Sequence, residues 1–266
     1  VDVNGDLIQD YSNPLYEDLL IEVPVFEQEE KLDFIIEIDT RLTGDSPSDT
    51  ISFNIGTASY EVFWGDGFNE YVYNDGTTSI THQYDVEGVY QITFKGSYVN
   101  RLTNDIKKVT KVLQWGKSKF TSLNGLFNQG TNLVSVPQNE TLVTTSSDFR
   151  NSFVSAPLEK VGKMVVDRGS NFSSMFRLTN FNDYVGDWVV TNATTMASMF
   201  QGTSMSQENC DAILTGWTRW DNGAAGIQLK SNVSLHLGNT SFTLGGDAED
   251  AYNYLINTLN WTITFG

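Results

Sequence analysis

Residues 168–176 read RGSNFSSMF and residues 192–200 read NATTMASMF. Both close on a small polar residue, Met and Phe, with another large apolar residue three positions before that Met. Two earlier phrases have the same shape, LNGLF ending at Phe127 and FRNSF ending at Phe153. Aligned on the final Phe, the four phrases are spaced by 26, 23 and 24 residues. Four positions before each Phe stands Leu123, Phe149, Phe172 or Met196, and one position before stands Leu126, Ser152, Met175 or Met199. Five or six positions after it come Leu133, Leu158, Phe181 or Met205. Offsets of three and four bring side chains to one face of a short helical turn. Leu142, Val165 and Val189 each lie seven positions before the first apolar residue of a phrase and begin an LV or VV pair. The unit therefore reads as a short strand, a turn, one or two helical turns and a loop.

A repeat of roughly 20–29 residues with this content is the mark of a leucine-rich-repeat solenoid. One unit cannot bury its apolar ledge alone, but stacked units make a continuous core. The wording DWVVTNATTMASMF at 187–200 resembles the surface-antigen (BspA-like) leucine-rich repeats, whose pattern runs W-D-V-S-x-V-T-x-M-x-x-M-F. This chain departs from the pattern at Ala193 and at Ser152, each in place of a larger apolar residue. Core packing accounts for the Met-Phe stripe, since this spacing turns the sulfurs inward. After the repeats, CDAILTGW at 210–217 reads as a capping helix, with Cys210 as a small buried group. IQLKSNVSLHLGN reads as an alternating strand. The chain closes on an amphipathic helix through Ala251, Tyr254, Leu255, Thr258 and Leu259, then a strand from Trp261 to Phe265. Residues 113–266 are thus expected to form a solenoid with a helix-strand cap, because an open end would expose core and backbone.

Upstream the period changes to two. DFIIEIDT alternates around Phe34, Ile36 and Ile38, and ISFNI at 51–55 does the same. YEVFWGDGFNEYVY reads as strand, tight Gly-Asp-Gly turn and strand, and a further strand from Val89 to Phe94 follows a turn at Glu87-Gly88. Short strands at this spacing imply a small β-sandwich over 33–112. Trp64-Gly65-Asp66-Gly67, then His82-Gln83-Tyr84, then Gly88-Val89-Tyr90-Gln91-Ile92-Thr93 resemble the polycystic-kidney-disease (PKD) type of immunoglobulin-like domain. In that reading Trp64 fills the core, the glycines supply turn dihedrals and Asp66 accepts backbone N–H bonds. Members of that family are usually spacers or binding modules. Asp66 and His82 are open to a metal or acid–base reading as well, although turn and strand-end hydrogen bonding accounts for both. The fold expected overall is mainly β, a PKD-like sandwich followed by a short leucine-rich solenoid, with residues 1–32 as an acidic arm.

Thirty-three acids against 16 bases give a formal charge of −17, which repels nucleic acid and anionic membranes. No apolar run approaches the ~20 residues that span a bilayer, so no membrane insertion is expected. One cysteine permits no intrachain disulfide. The chain opens at Val1, which suits a processed terminus or a start inside a longer precursor. Asp2, Asn4, Asp6 and Asp10 fall at positions 1, 3, 5 and 9 of a calcium-loop pattern, making calcium the one candidate cofactor. The pattern is partial, because Leu7 stands where Gly is needed and Asn13 where Glu is preferred. Only His82 and His236 are available for acid–base work, and the Gly-x-Ser-x-Gly nucleophile elbow, the phosphate loop and zinc spacing are all missing from the sequence. No catalytic residues are expected. The composition and the two resemblances point to an extracellular, non-enzymatic structural protein, a phage virion fibre, decoration or adhesion protein. A bacterial cell-surface adhesin and an accessory module of a carbohydrate-active enzyme are the alternatives. Its expected partners are other virion or surface proteins, a host-surface protein or glycan, or further copies of itself. Trp217 and Trp220 are candidate contacts, with cap packing as the other explanation for both.

Overall fold

The computed structural model describes residues 33–55, 59–73, 79–95, 102–117, 120–221 and 228–266. These residues are mainly β, with antiparallel sheets in the first half and two α-helices in the second. The first half holds β1 (Phe34–Asp39), β2 (Thr50–Asn54), β3 (Tyr60–Phe63) and β4 (Asn69–Val72). It continues with β5 (Ser79–Gln83), β6 (Val89–Lys95), β7 (Thr103–Asn104), a 3-10 turn (Ile106–Lys108) and β8 (Val109–Gln114). They make an antiparallel five-stranded sheet in the order β4-β3-β6-β1-β8 and a three-stranded sheet in the order β5-β2-β7. The alternation read from the sequence decides which side chains meet. Phe34, Ile36 and Ile38 of β1 and Ile92 and Phe94 of β6 share one core with Ile51 and Phe53 of β2. Each such side chain, fully buried, contributes about 1.5–3 kcal/mol.

Strand β8 belongs to two structures at once. Along one edge it pairs antiparallel with β1, Glu37 opposite Lys111. Along the other, Val112 N donates to Ser135 O (3.0 Å) and Val134 N to Thr110 O (2.9 Å), a parallel contact with the first repeat. The expected boundary at 112/113 runs through this strand. The sheet edge is thereby covered and offers nothing for stray pairing.

From here the chain winds in coils. The alignment on Phe holds in space: the rings of Phe127 and Phe153 lie 5.9 Å apart, Phe153 and Phe176 5.7 Å, and Phe176 and Phe200 5.6 Å, all stacked. Phe149 and Phe172 start a second column at 5.0 Å. The phrases are not helical, however. Gly125, Asn151, Ser174 and Ser198 all have φ between 55° and 68°, and Gln129, Ser155, Leu178 and Gly202 have φ between 58° and 78°. Two left-handed residues four positions apart rule out an α-helix between them. The backbone bonds run sideways instead. Phe149, Asn151, Phe153 and Ser155 donate to the carbonyls of Asn171, Ser173, Met175 and Arg177 in the next coil at 2.8–3.0 Å. Phe172, Ser174, Phe176 and Leu178 repeat the pattern with Thr195, Ala197, Met199 and Gln201 at 2.9 Å. The intervening residues form i→i−3 turns within their own coil, such as Met175 N to Phe172 O (3.1 Å). Every second donor thus depends on the neighbour, and a single coil would be left with unpaired N–H groups.

The strand expectation is corrected by one residue. β9 (Thr141–Leu142) and β10 (Lys163–Met164) pair in parallel with Leu142 opposite Met164, not Val165. Met164 and Val166 point inward, which leaves Val165 37 % exposed. One coil further Trp188 and Val190 are buried and no strand forms at Val189. The phrases that follow β9 and β10 are 23 residues apart while Leu142 and Met164 are 22 apart, so the connecting turns differ in length and alignment on Phe does not carry over to the strands.

The end is closed by α1 (Gln207–Thr218), β11 (Ser234–His236), α2 (Asp247–Asn257) and β12 (Thr262–Thr264). Ser206 caps α1, its hydroxyl accepting from Asn209 N (3.2 Å). Gly216 of α1 lies directly on the backbone of Gly186, where a Cβ on either residue would overlap main chain. Met196 N donates to Ser234 O (2.8 Å) and Phe200 N to His236 O (3.1 Å), so β11 takes the place of a further coil. β12 pairs in parallel on its far side. The inward face of α2 is Ala248, Ala251 and Leu255, with the half-buried Tyr254 packed against the same core and Leu259 just beyond the helix, while Thr258 is exposed, against the expectation for it.

Candidate functional site

The groups that carry chemistry are built into the scaffold. Asp66 sits in the turn between β3 and β4, where Gly65 has φ 89° and packs against Gln91. Its Oδ1 accepts from Phe68 N (3.0 Å) and its Oδ2 lies 2.6 Å from His82 Nε2. The His82 ring stacks on Trp64 at 4.8 Å, with Tyr84 edge-on at 4.6 Å. Burial acts to raise the Asp66 pKa, but the bonds from His82 and Phe68 N outweigh it and hold it below the ordinary carboxylate value. Both carboxylate oxygens are therefore engaged, one within the turn and the other by His82 of β5. His236 accepts from Gly238 N at Nδ1 (3.0 Å), and burial lowers its pKa. Cys210 is buried and its thiol is pushed up to about 12 by desolvation, so it carries no thiolate at neutral pH. The sulfur-bearing side chains of Met175, Met196 and Met199 are wholly buried. Among the described residues no three His, Cys, Asp or Glu converge as a metal site. Asp2, Asn4, Asp6 and Asp10 lie outside the described residues.

A buried ionic clamp had no sequence signal. Asp105 and Lys108 are both fully buried. Asp105 accepts from the N–H groups of Asp45 (2.6 Å), Ser46 (3.0 Å) and Ser52 (2.8 Å). Lys108 Nζ donates to the carbonyls of Ser46 (3.0 Å), Pro47 (2.6 Å) and Thr50 (2.7 Å), one for each ammonium proton. The pair fastens the loop between β1 and β2 to the strand that enters the coils.

A second feature the sequence reading passed over is a column of caps five positions before each Phe. Ser122, Asp148, Asn171 and Thr195 each accept from the N–H two residues on, at 3.0–3.4 Å. The signal is present as a short polar acceptor at the same offset in all four phrases, spread over four residue types.

The outward surfaces are what remain for a partner. Phe68, Tyr71 and Tyr73 are 65 %, 60 % and 64 % exposed, on or beside β4, the edge strand of the large sheet. The rings of Tyr71 and Tyr73 lie 5.3 Å apart. They flank a cleft of about 270 Å³ floored by Val72 and Ile80. A groove of about 690 Å³ on the strand side of the coils is lined by Lys163, Val165, Asp167, Tyr184 and Asp187. Trp217, a candidate contact from sequence, is buried and donates Nε1–H to Val185 O (2.8 Å), so it packs the cap instead. Trp220 is half-buried under the Arg219 guanidinium, 5.0 Å from its ring centroid. Among the described residues no helix is long and apolar enough to cross a membrane. Comparison with known proteins finds no matching family model, no similar curated protein and no similar solved structure.

Proposed function

We propose that this chain is a non-enzymatic structural and binding protein displayed outside the cell, a fibre, decoration or adhesion component of a phage virion. In this reading residues 33–112 are a PKD-like sandwich, residues 113–266 a leucine-rich stack of the surface-antigen type with a helix-strand cap, and the acidic residues 1–32 an anchoring arm. The observation that carries it is the unbroken run of buried rings. Phe34 meets Trp115 at 6.1 Å, Trp115 meets Phe127 at 6.3 Å, and the Phe column continues to Phe200. The large side chains serve packing, and His82, His236 and Cys210 are bound up in the scaffold. Outside it stand an exposed aromatic edge and a broad groove, which suit contact with another virion protein, a host-surface protein or a glycan. The charge of −17 argues against nucleic acid.

Immunogold labelling with antibody to this chain tests the reading on the particles and cells that carry its gene. Gold on the outside of intact virions is the expected result. Gold on the bacterial envelope alone would establish the adhesin alternative, and gold confined to the cell interior would overturn both.

A further inference from the structure

Between the two sheets and the first coils lies a cleft of about 510 Å³, within the range of ligand pockets, roughly 300–1,000 Å³. One wall is β7 with the 3-10 turn, and the other is the phrase 122–129 with Asn151 behind it. Its lining is rich in carboxamides: Asn104, Asn124, Asn128, Gln129 and Asn151. Asn104 spends its Nδ2 on Ser52 O (3.1 Å). The side chains of the other four make no hydrogen bond to another described residue. Gln129 and Asn151 reach the cleft from left-handed backbone, φ 61° and 57°. Such a conformation is held in place by the surrounding fold.

The chemistry of this lining is specific. A carboxamide places a neutral donor and a neutral acceptor side by side, the complement of a hydroxyl pair. The lining holds one acid, Asp45, and one base, Lys107, so it favours neither sign of ligand, while the chain as a whole repels anions. Ile106, almost buried, gives the cleft an apolar spot on which C–H groups can rest. A peptide strand would instead seek a sheet edge such as that of β4, the edge strand among the described residues, which this cleft does not include. We propose that the cleft is a binding site for a neutral carbohydrate, its hydroxyls held by Asn124, Asn128, Gln129 and Asn151. This goes beyond the display role and stands or falls apart from it.

The side-chain NH2 resonances of these four residues report on the site directly. The full chain, labelled with 15N, is titrated with maltotriose, cellotriose, mannotriose and chitotriose, and with a sialylated trisaccharide as charged control. Saturable shifts of the four carboxamides with at least one neutral sugar are expected. Asn124→Ala with Asn128→Ala should weaken that sugar about tenfold or more, the loss of two neutral hydrogen bonds. The melting temperature should not move, since neither side chain bonds to another described residue. The proposal is overturned if no neutral sugar gives saturable shifts, if the shifts fall on Tyr71 and Tyr73 instead, if the double variant binds undiminished, or if the sialylated sugar binds most tightly.

Discussion

The rings of Phe153 and Phe176 lie 5.7 Å apart and within 6° of parallel, although 23 residues separate them in the chain. Phe176 also stacks on Phe200 and touches Phe181 and Trp188. Its truncation opens the middle of the column. Phe176→Ala should cost about 3–5 kcal/mol, and Phe176→Leu clearly less, in urea unfolding followed by circular dichroism. Equal losses for the two substitutions would mean that shape in the column matters little.

Ser174 has φ 56° and donates to Ala197 O, so its backbone conformation is fixed by the next coil. A left-handed conformation costs an L-residue about 1–2 kcal/mol, which glycine avoids. Ser174→Gly should therefore leave stability unchanged or raise it by up to about 1 kcal/mol, whereas Ser174→Val should lower it by more than that. Thermal unfolding of the two variants distinguishes this from a helical phrase, in which glycine would be the harmful substitution.

Asp105 and Lys108 satisfy six backbone groups between them. Asp105→Ala should cost about 3–5 kcal/mol because it strands the buried N–H groups and leaves Lys108 without its nearby counter-charge. Asp105→Ala combined with Lys108→Met should cost less than the sum of the two single substitutions, since both release the same loop. Chemical denaturation of all four proteins measures the difference.

Asp39 is held below its ordinary pKa first by its side-chain bonds from Arg41, both 2.8 Å, against the opposing effect of burial. Asp66 is likewise lowered, as described above. Each therefore binds a proton more weakly in the folded chain than at the unfolded value of about 3.9. Their stabilisation is fully present above about pH 4 and is lost as pH falls through the lower folded values. Melting temperature should hold steady from neutral to mildly acid pH and then drop. Asp39→Asn with Asp66→Asn should start lower and drop less steeply, and an unchanged acid limb would show that other carboxylates govern it.

The period of the stack was legible because large side chains stand out against a background of Asn, Thr, Ser and Gly. The path of the backbone was not. Of the four left-handed residues two positions before each Phe only Gly125 advertises itself; Asn151 and Ser174 are held by hydrogen bonds to the next coil, and Ser198 takes the same conformation at the last phrase. Offsets of three and four then mimic a helix. In the sheets the alternation at Phe34, Ile36 and Ile38 named the inward face correctly. The clamp was beyond reach, since Asp105 and Lys108 meet partners 53 to 62 residues away, and nothing in their own neighbourhood marks them as buried. The carboxamide cleft was hidden for the same reason: its walls come from segments that only the junction brings together.

That β8 is bonded on both edges has a mechanical meaning. One strand serves the large sheet on one edge and the first coil on the other, so the two parts share an element. A tug delivered along the strand strains its flanking hydrogen bonds in shear, together, whereas a hairpin pulled from its open end unzips one bond after another. Parts joined this way would tear before they stretched, and would hand a sudden force on to whatever holds the molecule.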